Sequence, residues 1–275
     1  MRISVLGCGW LGFPLAQYLL REGYKVKGST TTGEKVVLLK QAGIEAYTIK
    51  IPSNLNVTAS EAFWDTDILF LNIPPGRGNG GVETKYPKLI GAVRDRIEQD
   101  GSTITRVIFA SSTSVYPSSE GRYTEQDTSL DNTARPSGCA ILKAENLLQE
   151  SDSFSTVVIR FGGLYGYERH PVKYLSGRKN ISSPLKPVNL IHQSDCIGIV
   201  HSLIKSDIKE GIFNAVSDGH PPRKTLYQSA ARHYDLPPPV FDNDSPSAER
   251  VISNEKLKQD LGYSFIYPNP LDHTA

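Results

Sequence analysis

Three glycines at fixed spacing carry the most specific chemistry in this sequence. Gly7-Cys8-Gly9-Trp10-Leu11-Gly12 is a G-x-G-x-x-G run, and each glycine has its own task if the run is to hold a pyrophosphate. The first permits a tight turn, the second lets the anion approach the backbone, and the third lets the next helix pack close to the preceding strand. The free N–H groups and positive dipole end of that helix then face the phosphates. Cys8 contributes mainly its backbone. An isolated run of this kind reads equally as an ordinary Gly-rich turn, so its flanks matter. Arg2-Ile3-Ser4-Val5-Leu6 reads as a short buried strand, and Pro14, Leu15, Ala16, Leu19 and Leu20 give an apolar helix. Strand before and helix after is the context a dinucleotide site requires.

A dinucleotide fold tests the adenosine ribose at the end of its second strand, here Tyr24–Gly28. An Asp or Glu about 20 residues past the fingerprint would accept from the ribose 2′-OH and mark NAD. The chain instead reads Gly28-Ser29-Thr30-Thr31-Thr32-Gly33-Glu34-Lys35. Glu34 falls in the first turn of the next helix. Ser29 and Thr30 are placed to donate to a 2′-phosphate and Lys35 to supply charge, which favours NADP with NAD as the alternative. Thr31 or Thr32 reads equally as a cap on that helix.

The elements that position these residues alternate. After the helix of Glu34–Gln41 and an edge-like strand at Ile44–Ile49, Asp67–Ile73 is an apolar run without alternation, as expected of a parallel strand buried on both faces. A polar, Gly-rich loop, residues 74–81, follows at the carboxyl end of that strand, where ligands bind in such sheets; it reads as a cofactor-covering loop or a plain connection. A helix over about 84–99 presents Leu89, Ile90, Val93 and Ile97 on one face. Arg106–Ala110 is another buried strand, 134–150 a long helix, and Ser155–Arg160 a sixth strand. Strands alternating with helices along 160 residues indicate an α/β, Rossmann-type doubly wound parallel sheet. The remaining chain is irregular and proline-rich, which suggests a small, discontinuous C-terminal lobe. The expected division is a dinucleotide-binding domain over 1–165, to which 188–216 returns, and a substrate lobe from 166–187 and 217–275.

Composition narrows the function. Thirty basic residues against 29 acidic ones give no reason to expect a nucleic-acid or anionic-membrane surface. No apolar run is long enough to span a bilayer, and the first strand begins so close to Met1 that no leader is expected. Cys8, Cys139 and Cys196 are odd in number and far apart, without zinc spacing, so neither a disulfide framework nor a metal site is expected. These features fit a cytoplasmic protein.

Several stretches together resemble the extended short-chain dehydrogenase/reductase family, of the NAD(P)-dependent epimerase/dehydratase type. Phe109-Ala110-Ser111-Ser112-Thr113-Ser114-Val115-Tyr116 is similar to that family's strand-plus-serine signature. Val158-Ile159-Arg160-Phe161-Gly162-Gly163-Leu164-Tyr165-Gly166 resembles its sixth-strand motif. Asn189–Asp195 resembles its His-x-x-Asp stretch, and Gly211-Ile212-Phe213-Asn214 its later Gly-x-x-Asn strand. The match runs in order from residue 1 to about 216. The opening Gly9-Trp10-Leu11-Gly12-x-Pro14-Leu15-Ala16 is similar to the atypical, YeeZ-like subgroup.

The resemblance implies roles. Ser112 takes the place of the family's catalytic serine, the turn Ile73-Pro74 flanks the adenosine or ribose, and the family's Tyr-x-x-x-Lys falls at Cys139 and Lys143. That tyrosine is the family's acid/base, with the lysine charge lowering its pKa and reaching the nicotinamide ribose. Here a thiol replaces the phenol, on a shorter stem, so Cys139 serves only if the substrate or a water comes deeper; it reads otherwise as a small buried helix residue. The other departure is Leu6, where the extended family's G-x-x-G-x-x-G has its first glycine. Tyr116 and Tyr165 are further phenols near the strand ends. Glu168-Arg169-His170-Pro171 reads as a contact for an anionic substrate or as a solvated turn. His192 is expected to orient backbone and Asp195 to sit near a helix N-terminus. The expected function is an NADP-dependent oxidoreductase or epimerase-like enzyme acting on a small, sugar-nucleotide-like substrate. The alternative is a catalytically silent dinucleotide-binding sensor or partner-binding protein. A homodimer through the two long helices is compatible with their charged faces, Arg94, Arg96, Glu98 and Glu145.

Overall fold

A computed structural model describes residues 1–51, 61–76, 80–99, 101–133 and 135–272. Residues 77–79 of the expected cofactor-covering loop lie outside the described residues. Along the chain run β1 (Arg2–Leu6), α1 (Gly12–Arg21), β2 (Lys25–Thr30), α2 (Gly33–Gln41), β3 (Glu45–Thr48), α3 (Glu61–Trp64) and β4 (Ile68–Leu71). Then come α4 (Val82–Ile97), β5 (Arg106–Ser112), β6 (Gly121–Tyr123), α5 (Pro136–Gln149), β7 (Ser155–Phe161), β8 (Gly163–Tyr165) and β9 (Leu190–His192). The last elements are α6 (Gln193–Lys205), β10 (Gly211–Ala215), α7 (Arg223–His233), β11 (Arg250–Ile252) and α8 (Glu255–Leu261).

Seven strands form one parallel sheet in the order β10-β7-β5-β4-β1-β2-β3. The apolar runs of the central strands lack alternation because both faces are covered. Ile68 and Phe70 of β4 enter the core beneath α1 and α6, with Leu15, Leu19, Ile199 and Leu203. Leu69 and Leu71, one residue out of step, enter the core beneath α4 and α5, with Ile90, Val93 and Leu148. Val107, Ile108 and Phe109 of β5 divide the same way. Full burial of such side chains contributes about 1.5–3 kcal/mol each. The expected doubly wound fold is therefore present. The chain leaves β1 toward β2 and β3, then reverses through β4 toward β10, so the strand order switches direction between β1 and β4. A crevice at the carboxyl ends of those two strands follows from this topology alone.

A third, smaller core joins Tyr165, Val172, Leu226, Tyr227 and Phe241 outside the sheet. The end of the chain packs against both cores of the main sheet. β11 pairs in parallel with β6, Leu257 of α8 joins the core under α1 and α6 with Tyr263 and Phe265 packed against it, and Ile252 joins the other core. Asp195 fixes this return: its carboxylate accepts from the amides of Ile266 (2.7 Å) and Tyr267 (3.0 Å) and from the Tyr263 hydroxyl (3.0 Å). Burial pushes the Asp195 pKa up despite those three donors. Glu145, expected on an exposed helix face, is fully buried and bonded to Arg160 of β7, its Oε2 2.6 Å from Nη2. The remaining charges on that face are exposed or partly so and pair locally, Arg94 with Asp95 and Glu98, and Arg96 with Glu61.

Candidate dinucleotide site and adjoining cavity

The glycine run leaves β1 at the switch point and begins α1 at Gly12. Gly7 has φ +109°, and a Cβ there would stand 2.4 Å from the Asn72 carbonyl oxygen; a Cβ on Gly12 would stand 2.2 Å from the Gly7 carbonyl oxygen. Neither position admits a side chain without moving backbone. Gly9 differs, because a Cβ there meets no heavy atom within 4 Å; open space lies in front of it. The amides at the turn's base are satisfied: Cys8 N–H donates to the Ser29 carbonyl (2.8 Å) and Gly7 N–H to Ser29 Oγ (3.0 Å). Asn72, just past β4, donates Nδ2–H to the Gly7 carbonyl (3.0 Å). The amides of Trp10, Leu11 and Gly12 find no acceptor among the described residues, and they open helix α1. Unpaired donors at a helix N-terminus beside open space are what a pyrophosphate needs.

On one side of this loop lies a cavity of about 480 Å³, lined by Gly7, Gly9, Ser29, Thr30, Thr31, Lys35, Asn72, Ile73 and Pro74. Strand β2 runs two residues further than expected, so Ser29 and Thr30 belong to it and both are buried. The Ser29 hydroxyl braces the Gly7 amide. Thr31 and Lys35 stand exposed at the cavity rim, and Thr32, at the N-cap of α2, makes no side-chain capping bond. Glu34 lies in the first turn of α2, and among the described residues no carboxylate lines this cavity. Burial pushes the Cys8 thiol up to about 12, which keeps it neutral.

On the other side lies a cavity of about 890 Å³ that shares Asn72 and Pro74 with the first. Ser112 reaches it from the end of β5, joined by Leu11, Ser114, Arg135, Ser137, Ile141 and Leu164. Ser112 Oγ also accepts from the Ser114 amide (3.2 Å). Cys139 and Lys143 are absent from the lining. The phase of α5 is set by Gly138, whose missing Cβ would stand 2.2 Å from the Ser114 carbonyl oxygen. With that residue against the turn after β5, Ser137 and Ile141 look into the cavity. Cys139 and Lys143, two positions on in each case, are rotated by about 200°. The i, i+4 pair lining this cavity is Ser137 and Ile141.

The two other phenols are structural. Tyr116 is buried, donates to Asn214 Oδ1 (2.6 Å) and accepts from Arg160 Nη1 (2.9 Å). Burial, opposed by the Arg160 charge, pushes its pKa up to about 12. Tyr165 lies within the small core, its pKa also raised by burial. Ser111, beside Ser112, donates to buried Glu145, so the Glu145–Arg160 pair anchors the strand that carries Ser112. His192 accepts from the Ser194 amide at the start of α6, the backbone-orienting task expected of it.

Sequence reasoning missed Asn72, Ser137, Arg135 and the basic residues near it. Arg135 lines the large cavity, and Arg250 holds the adjacent turn by donating to the Thr113 (2.9 Å) and Pro117 (2.6 Å) carbonyls. Burial and then the charges of Arg250, Arg223 and Arg135 push the Lys186 pKa down. No carboxylate pairs with any of these four among the described residues. Basic residues hundreds of ångströms of chain apart, such as Arg135 and Arg250, give no periodic sequence signal.

No family model matches the chain. Protein YeeZ of Escherichia coli K12 is 32% identical over 274 residues, 98% of this chain and 97% of that one. The human epimerase family protein SDR39U1 (isoform 2), solved with NADPH, superposes with a TM-score of 0.76 at 16% identity, covering 100% of this chain and 98% of that one. UDP-glucuronic acid 4-epimerase from Bacillus cereus, solved in complex with NAD, gives 0.76 at 17% identity over 100% and 98%. At such identities the two structures establish the fold.

Proposed function

Because this chain belongs to the YeeZ family, an atypical branch of the extended short-chain dehydrogenase/reductases, we propose that it binds a nicotinamide dinucleotide across the β1–β4 crevice without the acid–base pair of that superfamily. The glycine loop, with its open face at Gly9 and three unpaired amides, holds the pyrophosphate. The smaller cavity takes the adenosine half, and the larger one takes the nicotinamide half and a second small ligand. NADPH and NADP are the preferred forms, since Lys35 and Thr31 stand at the rim where a 2′-phosphate would lie and no carboxylate among the described residues lines it to accept from a 2′-OH. UDP-glucuronic acid 4-epimerase and SDR39U1, of the same fold, carry NAD and NADPH respectively.

The observation that carries this reading is the cavity face of α5. Ser137 and Ile141 occupy the positions four residues apart that face the ligand space, and neither exchanges a proton near neutral pH. Among the described lining residues the ionisable groups are Arg135 and Tyr86. The Tyr86 hydroxyl is committed to the Ile73 carbonyl (2.7 Å), and burial pushes its pKa up. Binding and orientation are therefore the cavity's chemistry, with the hydroxyls of Ser112 and Ser137 available to a ligand oxygen and Arg135 to an anionic group. A second reading, hydride transfer with Ser112 positioning the substrate oxygen, is supported by a cavity volume within the range of substrate sites.

Parallel calorimetric titrations of the purified protein with NADPH and NADH test the reading. We expect NADPH to bind more tightly, and Lys35→Ala to remove most of that preference. Failure of both dinucleotides to bind overturns it; bound NADPH oxidised by an added carbonyl compound favours the second reading.

A further inference from the structure

Arg169, in the loop after β8, places its guanidinium carbon 4.8 Å over the centre of the Trp10 ring. Trp10 lies inside the glycine run, so a residue from the loop after β8 covers the loop that opens α1. The contact is built from both ends. The Trp10 carbonyl accepts from Gln193 Nε2 (2.7 Å), which fixes the backbone that carries the indole. Arg169 and Gly166 exchange backbone hydrogen bonds of 2.9 Å in both directions, with Glu168 between them at φ +57°, and this tight turn presents the arginine.

Arg169 is half-buried, and it forms no ion pair among the described residues. The glycine run and α1 carry no cation between Arg2 and Arg21, so the loop itself meets an anion with backbone dipoles alone. A guanidinium stacked on an aromatic face keeps its in-plane N–H fork free for a bidentate acceptor. Trp10 thus holds a cation on the same residue that carries one of the three unpaired amides.

We propose that Arg169 binds the dinucleotide's pyrophosphate, clamping it onto the glycine loop from the side of the loop after β8. The proposal rests on the dinucleotide reading above and adds to it a residue outside the fingerprint. Its consequence is that the loop over 166–170 and the cofactor stabilise each other. Removing the guanidinium weakens ligands that contain the pyrophosphate and spares those that lack it.

The test is calorimetry on the full chain with ADP-ribose and with adenosine, for the unaltered protein, Arg169→Ala and Arg169→Lys. Loss of charge-assisted bonds predicts about 10- to 100-fold weaker ADP-ribose binding by Arg169→Ala. Adenosine affinity stays within about twofold, Arg169→Lys recovers part of the loss, and the melting temperature falls by no more than about 1–4 °C, the cost of one cation–π contact. Unaltered ADP-ribose binding by Arg169→Ala overturns the clamp while leaving the dinucleotide reading intact. Equal weakening of adenosine also overturns it, because the arginine then only supports the loop. If the unaltered protein binds neither NADPH, NADH nor ADP-ribose, the dinucleotide reading fails and the clamp fails with it.

Discussion

Alanine at Gly9 and alanine at Gly12 are the same chemical change three residues apart, and the structure assigns them opposite effects. A methyl on Gly9 meets no atom within 4 Å, and Gly9 is not among the residues with positive φ, so the folded chain accepts it. Restricting the unfolded chain then raises stability by about 0.4–1 kcal/mol, a rise of roughly 1–4 °C in melting temperature for a chain of this size. The same methyl occupies the space in front of the free amides of Trp10, Leu11 and Gly12. A bound pyrophosphate loses one or two charge-assisted hydrogen bonds at about 1.5–3 kcal/mol each, at least tenfold in affinity. A methyl on Gly12 stands 2.2 Å from the Gly7 carbonyl oxygen and 3.1 Å from Asn72 Nδ2. Relieving that overlap shifts α1 off β1, at about 1–3 kcal/mol. Scanning calorimetry without ligand, followed by NADPH titration, separates the two. Gly9→Ala should melt at or above the unaltered protein and bind poorly; Gly12→Ala should melt several degrees lower. A Gly9→Ala protein that binds NADPH as tightly as the original would refute the placement of the pyrophosphate. One that melts as low as Gly12→Ala would refute the claim that open space lies there.

Three further outcomes are expected. Cys139→Ala and Lys143→Ala should leave NADPH affinity within about twofold, since both face away from the cavity, whereas Ser137→Phe should fill it and weaken binding; equal losses in all three would restore the Cys–Lys pair to the site. Glu145→Gln leaves Arg160 buried with a weakened partner and should cost about 3–5 kcal/mol in urea unfolding, with Glu145→Leu/Arg160→Met recovering much of it; a loss under 1 kcal/mol for the single variant would mean that the pair is solvated. The Cys8 thiol, raised by burial from 9.0 to about 12, holds its proton more tightly folded than unfolded. Its contribution is complete below about pH 9 and is lost as pH rises toward 12, so Cys8→Ala should flatten the decline in melting temperature above pH 9; an unchanged slope would show that the thiol is accessible to solvent.

Much of the architecture was legible because it rests on local rules. The strand-loop-helix around Gly7–Gly12 follows from glycine sterics and apolar pattern within a dozen residues, and the uninterrupted apolar runs at 68–71 and 107–110 read as strands covered on both faces. The site was legible where backbone makes it, and not where side chains from distant elements do. Tyr-x-x-x-Lys spacing is satisfied by 139 and 143 and equally by 137 and 141; the choice depends on helix phase, which is set by the close approach of Gly138 to the turn at Ser114. Ser29 looked like a phosphate ligand because it follows a strand expected to end at Gly28, yet β2 continues through Thr30 and turns the Ser29 hydroxyl to Gly7. Glu145 looked like surface charge because a helix has a solvent side, yet Arg160 across the sheet draws it inward. Arg169 stands on Trp10, and Arg250 braces the turn after Ser112, through contacts more than a hundred residues apart in the chain. The sequence by itself determined the sheet, the glycine loop and the absence of a carboxylate at the end of β2, since each depends on neighbours in the chain. Only the tertiary structure decided which side chains face the ligand space, because that depends on rotation and contact between elements the chain does not connect locally.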